Sequence, residues 1–195
     1  MKKESLEPDY FEEIYAKSDD PWGFASREYE LHKYFDTLMH LPRKHYASAF
    51  EPGCSIGVLS GMLAPRVDRL LSVDVSEKAL AQARRRNADK PTITFRNMQF
   101  PRHKPEQTFD LILLSEVAYY WGDTEFDQAR DQVLTLLEPG GDLVLVHWTP
   151  FVDDYPLTGD EVHDRFIRFS QHTSTLQHLE GKREATYRLD VFRKA

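Results

Sequence analysis

The segment Phe50-Glu51-Pro52-Gly53-Cys54-Ser55-Ile56-Gly57, followed by Leu70-Leu71-Ser72-Val73-Asp74, constrains this chain more than any other feature. It reads as an apolar strand, a tight glycine turn and a helix, then a second strand that ends on a carboxylate. Glycines let backbone approach a ligand closely, and a carboxylate at that strand end can accept from ribose hydroxyls. The pattern therefore predicts a nucleotide or nucleoside site on a βαβ unit.

Three site chemistries compete for this turn. A dinucleotide fingerprint requires Gly-x-Gly-x-x-Gly, but positions 53, 55 and 58 hold Gly, Ser and Val, so NAD or FAD is disfavoured. Gly53-Cys54-Ser55-Ile56-Gly57 also matches the Gly-x-Ser-x-Gly elbow of α/β-hydrolases, with Ser55 as nucleophile and His147 or His163 completing a triad. Against that, the residues before Ser55 read as helical, where the elbow normally follows several strands, and an upstream oxyanion loop is missing. The third pattern is acidic-x-Gly-x-small-x-Gly, met by Glu51, Gly53, Ser55 and Gly57, with Asp74 placed 17 residues after Gly57 at the end of the next strand. It points to S-adenosyl-L-methionine. Cys54 is explained by packing within the turn rather than as a nucleophile.

The rest of the chain supplies a frame for such a site. To about Leu41 it reads as two helices around the turn Ser18–Phe24, one with Tyr10, Phe11, Ile14 and Tyr15 on a face, the other with Leu31, Tyr34, Phe35 and Leu38. From Tyr46 strands and helices alternate, which predicts a mostly parallel sheet. Strands are expected at Ala47–Glu51, Arg69–Asp74, Thr92–Arg96, Phe109–Ser115 and Asp142–Trp148. Helices are expected at Val58–Ala64, Glu77–Asn87, Glu125–Leu137 and Gly159–Gln171, with Ser76 capping the second and Pro139-Gly140-Gly141 separating the third from the next strand. The end reads as a hairpin of Thr173–Leu179 and Ala185–Arg193 joined by Glu180-Gly181-Lys182-Arg183. The expected organisation is one domain over 1–195, a helical cap to residue 42 and a Rossmann-like core from 43.

Charge and composition narrow the partners. Lys plus Arg is 25 against 32 for Asp plus Glu, a net −7 that argues against broad nucleic-acid binding. Arg84-Arg85-Arg86 reads as a solvated helix face. A single cysteine excludes an intramolecular disulfide, and the eight histidines contain no His-x-x-x-His pair, so no metal site is expected. With no apolar leader and no bilayer-length apolar run, the expectation is a soluble cytoplasmic protein without a membrane partner. The oligomeric state is left open by the sequence.

Several segments carry a family resemblance: Asp20-Pro21-Trp22, Glu51-Pro52-Gly53-Cys54, Phe109-Asp110-Leu111-Ile112 with Ser115-Glu116-Val117-Ala118-Tyr119-Tyr120, and Leu137-Glu138-Pro139-Gly140-Gly141. Over roughly residues 10–150 the chain resembles class I S-adenosylmethionine-dependent methyltransferases, and among them the NodS-like nodulation N-methyltransferases. The resemblance implies a Rossmann-like fold: a seven-stranded, mostly parallel sheet ordered 3-2-1-4-5-7-6, strand 7 antiparallel, with helices on both faces. It also implies that Gly53, Cys54 and Gly57 contact the methionyl part, Asp74 the ribose, and Val75 the adenine. Asn97 stands where many relatives have Asp; its amide oxygen would accept from the adenine amino group, with Met98 on the ring. Ser115 would approach the sulfonium end. Trp22, Tyr29 and Lys33 would close over the cofactor, Lys33 by pairing with its carboxylate, although Trp22 and Tyr29 suit ordinary core packing equally well.

For the chemistry, Glu116 is the first candidate to take a proton from an amine and His147 the second. His163, Asp154 and Tyr155 are placed to approach from the following loop and helix, and Tyr119, Tyr120 and Trp121 to line the acceptor pocket. The implied acceptor is a small molecule, an amine on a sugar or oligosaccharide. O-methylation of another metabolite, the Ser55 hydrolase and a non-catalytic cofactor-binding protein are the alternatives.

Overall fold

Continuous apolar runs such as Leu111-Ile112-Leu113-Leu114 become strands because a parallel strand is covered on both faces. The structure, a computed structural model, describes residues 4–195. The chain divides into two units, residues 7–100 and residues 101–195, the latter with the described N-terminal residues 4–6.

The 7–100 unit contains α1 (Pro8–Lys17), α2 (Glu28–Met39), β1 (Tyr46–Pro52), α3 (Val58–Leu63), β2 (Val67–Asp74), α4 (Glu77–Arg86) and β3 (Ile93–Asn97). Strand β2 pairs in parallel with both β1 and β3. Ser76 caps α4 by accepting from the Ala79 N–H at 3.3 Å, and Ala79, Leu80 and Ala83 of that helix are buried.

The 101–195 unit contains β4 (Phe109–Ser115), a 3₁₀ turn (Ala118–Tyr120), α5 (Asp123–Leu136), β5 (Leu137–Trp148), α6 (Gly159–His172), β6 (Leu176–Arg183) and β7 (Tyr187–Lys194). Strands β4 and β5 are parallel, while β7 runs antiparallel to both β5 and β6. Strand order in the seven-stranded sheet is β3-β2-β1-β4-β5-β7-β6, the order and polarity implied by the resemblance.

Three expectations are corrected. The buried face of α2 is Glu30, Lys33, Tyr34 and Thr37, whereas Leu31 and Phe35 are 38% and 61% exposed. Burial of charge is tolerated there because Lys33 Nζ sits 2.7 Å from the Glu30 carboxylate and Thr37 donates to the Lys33 carbonyl at 2.8 Å. Strand β5 begins at Leu137 rather than Asp142: Phe109 already pairs with Leu137 before a bulge, and Gly140 absorbs a φ of 74° inside the strand. The terminal hairpin turns at 184–186, and Glu180-Gly181-Lys182-Arg183 lies within β6. Of that strand only Leu176 is buried, so its polar sequence imitates a turn.

Candidate functional site

In the 7–100 unit the glycine turn is built from three residues in the left-handed region: Gly53 (φ 74°), Ser55 (φ 52°) and Gly57 (φ 72°). The N–H groups of Gly53 and Cys54 both donate to the Val73 carbonyl, at 2.7 and 3.0 Å, which ties the end of β1 to the end of β2. At Gly57 a side chain would be doubly penalised, since a Cβ would lie 2.8 Å from the Ala83 Cβ of α4. Ser55 in this conformation donates its own N–H to Asp74 Oδ2 at 2.8 Å. Asp74 Oδ1 accepts from the Ser76 N–H at 2.9 Å. The carboxylate is thus held by backbone donors on both sides, at 8% exposure. Burial pushes its carboxyl up to about 6, with the amides of Ser76, Ser55 and Val75 resisting that rise.

The neighbouring predicted residues lie around this carboxylate. The Asn97 side-chain amide donates to the Val75 carbonyl at 2.9 Å, and the Met98 N–H donates to the Asp74 carbonyl at 3.1 Å. Gly53 and Asn97 are exposed, while Val75 and Met98 are half-buried. Glu51 is buried, accepting on one oxygen from the Ser60 hydroxyl at 2.5 Å and the Ser72 hydroxyl at 2.7 Å. Burial pushes its carboxyl up to about 7, against the two hydroxyls, and the nearby Asp74 charge adds to the rise. Burial likewise pushes the Cys54 thiol up, with the Asp74 and Glu51 charges adding, which removes it as a nucleophile.

Ser55 Oγ is bonded to the Tyr15 hydroxyl, a partner that the sequence reading missed. Tyr15 packs with Ile56 and Ala79, and its ring meets Trp22 edge-on at 5.5 Å; Trp22 in turn stacks on Phe24 at 5.6 Å. Trp22 therefore belongs to the packing beneath the turn. Lys33 Nζ lies 2.7 Å from the Glu30 carboxylate and 5.3 Å from the Tyr29 ring.

In the 101–195 unit Ser115 ends β4, buried and in register with Val146. Glu116 follows in the left-handed region (φ 55°), its N–H donating to the Val146 carbonyl at 2.9 Å. Its Oε2 accepts from the Tyr119 hydroxyl at 2.5 Å and the Trp148 N–H at 3.0 Å. Tyr119 stacks on Tyr155 at 5.0 Å, and Tyr120 meets both rings edge-on at 4.6 and 4.8 Å. Burial pushes both phenols up; the Glu116 charge adds for Tyr119 and Tyr155 for Tyr120. Asp154 is exposed and Trp121 is buried.

His147 and His163 are wholly buried. His147 Nε2 accepts from the Ala118 N–H at 3.2 Å, and its Nδ1 lies 3.0 Å from His163 Nε2. His163 Nδ1 pairs with Asp190 at 2.6 Å. Each nitrogen of both rings thus has a partner within the protein, where the sequence reading expects His147 as a proton acceptor and His163 as a substrate contact. Asp190 and His178 were missed; a charged residue inside the apolar run Leu189-Asp190-Val191-Phe192 was the available signal. Among the described residues no group of three His, Cys, Asp or Glu side chains is arranged to hold a metal ion. No described helix is long and apolar enough to cross a membrane.

The sequence pattern of the family described as Nodulation protein S (NodS) matches residues 9–148. Nodulation protein S of Rhizobium tropici is 35% identical over 129 residues, covering 65% of this chain and 54% of that protein. The Bradyrhizobium diazoefficiens protein of the same name is 34% identical, covering 65% and 61%. The chain thus spans little more than half the length of the curated relatives it matches. Among solved structures, a Pseudomonas syringae protein is 34% identical with a TM-score of 0.73, covering 86% of this chain and all of that one. N-methyltransferase NodS from Bradyrhizobium japonicum WM9, in complex with S-adenosyl-L-homocysteine, shares the fold with a TM-score of 0.77 at 24% identity, covering 95% and 97%.

Proposed function

This chain belongs to the Nodulation protein S family, and from that premise we propose that it transfers the methyl group of S-adenosyl-L-methionine to a small-molecule amine, that of an amino sugar or oligosaccharide. The observation that carries the reading is Asp74. It is a carboxylate at the end of β2, fixed by the Ser55 and Ser76 amides beside a turn whose outermost residue, Gly53, has no side chain. A plain βαβ turn has no need of a buried acceptor in that place, whereas a nucleoside with two ribose hydroxyls does.

The chemistry of the donor set fits this ligand. Asp74 would hold the ribose hydroxyls, while Gly53, Cys54 and Gly57 would leave the backbone accessible to the methionyl part. Val75, Met98 and the Asn97 amide would flank the base. S-adenosyl-L-methionine, when bound, supplies an electrophilic methyl group on a sulfonium that departs without protonation. What remains for the protein is alignment and a place for one proton. An amine attacks only when neutral, and Glu116 is the group assigned to receive the proton it releases. The Tyr119 hydroxyl and the Trp148 N–H hold that carboxylate in one orientation. The rings of Tyr119, Tyr120 and Tyr155 form the apolar wall of the acceptor pocket in this reading.

The test is a mass-spectrometric screen with S-adenosyl-L-methionine and a panel of amino sugars, phenols and carboxylic acids. Methylation of an amino sugar is expected. Methylation restricted to phenols or carboxylates would replace the amine with an oxygen acceptor. Adenosylhomocysteine binding without transfer to any acceptor would make the chain a binding protein instead.

A further inference from the structure

His147, His163, Asp190 and His178 form an unbroken chain of hydrogen bonds through the interior of the 101–195 unit. The backbone N–H of Ala118 can only donate, so His147 Nε2, 3.2 Å away, must accept. The His147 proton is therefore on Nδ1, which donates to His163 Nε2 at 3.0 Å. That in turn puts the His163 proton on Nδ1, donating to Asp190 Oδ2 at 2.6 Å. Asp190 also receives His178 Nε2 at 2.6 Å and Arg188 Nε at 2.8 Å. A backbone donor at one end and a carboxylate at the other leave a single set of tautomers that satisfies every bond. Burial lowers the proton affinity of His163, although Asp190 opposes this, in keeping with the neutral ring that the chain requires.

The segments that meet here are far apart in sequence and closely fitted. Helix α6 brings His163, and its first residue, Gly159, touches the end of β5: a Cβ there would lie 3.1 Å from the His147 Cβ and drive into the Trp148 carbonyl. The other charged groups around the chain are paired at its periphery. Arg188 reaches Asp164 at 2.8 Å and Asp160 at 3.5 Å, and Arg183 is bound to Asp160.

What the chain holds at its inner end is the turn Ala118–Tyr120. That turn carries Tyr119, whose hydroxyl donates to Glu116, whose ring stacks on Tyr155, and which meets the His147 ring edge-on at 5.3 Å. We propose that His163 and Asp190 are positioning residues for the acceptor pocket: they lock His147 in the Nδ1–H tautomer, and His147 thereby fixes the turn that presents Tyr119 and Tyr120 beside Glu116. The structural claim stands without the methyltransferase reading; only its kinetic readout rests on that reading.

Long-range ¹H–¹⁵N spectra of histidine-labelled protein test the lock directly. In the wild type, His147 and His163 are expected to carry their protons on Nδ1. His163→Leu removes the acceptor and should mix the His147 tautomers and speed hydrogen exchange at the Ala118 amide. It should raise KM for glucosamine about tenfold, the scale of one lost backbone hydrogen bond, with adenosylhomocysteine affinity unchanged. His163→Gln, whose amide oxygen can still accept from His147 Nδ1–H, should restore all three. A wild-type His147 protonated on Nε2 overturns the proposal, as does a His163→Leu protein with the native tautomer and native KM. Should His163→Leu not fold, the wild-type spectrum and the His163→Gln protein decide the matter. Absence of methyl transfer to glucosamine counts against the amino-sugar reading, while the spectra and the Ala118 exchange still decide the lock.

Discussion

The glycine turn of residues 53–57 and the cluster around Glu116 and His147 satisfy buried polar groups by different means. In the turn, Asp74 is held by the N–H groups of Ser55 and Ser76, and the strand ends are tied through the Val73 carbonyl. Around Glu116 and His147 the partners are mainly side chains from the 118–120 turn, the 149–158 loop, α6 and the last two strands. Backbone donors are fixed by the fold of one short motif, so the turn needs only small residues at set spacings. A side-chain relay needs each partner to be the right residue in one tautomer, so it is specific but vulnerable to single substitutions.

The comparison is sharpened first at Glu116, where the largest effect is expected. Glu116→Gln should lower kcat by about 10²- to 10⁴-fold, the range for loss of a general base, while adenosylhomocysteine affinity stays unchanged. Turnover at the wild-type rate would remove Glu116 from the chemistry and leave it as a support for Tyr119.

Opposite pH responses come next. Glu51 has a folded-state value raised to about 7 from an ordinary 4.5. Its stabilising contribution is complete below 4.5 and is lost as pH rises through about 7. At pH 8 the ionised, buried carboxylate should cost on the order of 3 kcal/mol. Glu51→Gln, measured by urea unfolding, should therefore gain on the wild type between pH 5 and pH 8; a difference independent of pH would show that Glu51 does not titrate in this way. His163 is shifted the other way, its imidazole held below 6.5 mainly by burial. Its contribution is complete above 6.5 and is lost as pH falls through its folded value. His163→Gln should accordingly flatten the acid limb of the stability profile. An unchanged acid limb would place that loss elsewhere.

A smaller effect is expected on ligand binding. Asp74, raised to about 6, should accept ribose hydroxyls fully only when ionised. Adenosylhomocysteine affinity should hold above about pH 7 and fall by about tenfold per unit below 6. Affinity that is flat from pH 8 to pH 5 would detach binding from this carboxylate.

The same contrast explains what the sequence revealed. The turn's geometry was legible because it is encoded in contiguous spacing: Glu51, Gly53, Ser55 and Gly57, with Asp74 at the next strand end. The strand order followed from a resemblance spread over residues 10–150, and the periodicity of α4 and α5 was clear because one face is apolar. Helix α2 was misread because its buried face contains the Glu30–Lys33 pair, and no apolar stripe marks a face whose charges neutralise each other. Strand β6 was misread because little of it is buried. The relay was illegible for a further reason: His147, His163, His178 and Asp190 occupy four elements, and only the fold brings them into line. Histidines read singly look like bases open to substrate, while in the structure His147 and His163 are buried and bonded to each other.

The account depends most on Asp74, and isothermal titration of adenosylhomocysteine into wild-type and Asp74→Ala protein at pH 8 tests it most directly. Two charge-assisted hydrogen bonds are at stake, each worth about 1.5–3 kcal/mol, so binding to the wild type and a loss of roughly hundredfold or more in the variant are predicted. Wild-type protein that does not bind, or a variant that folds and binds with unchanged affinity, would contradict the account.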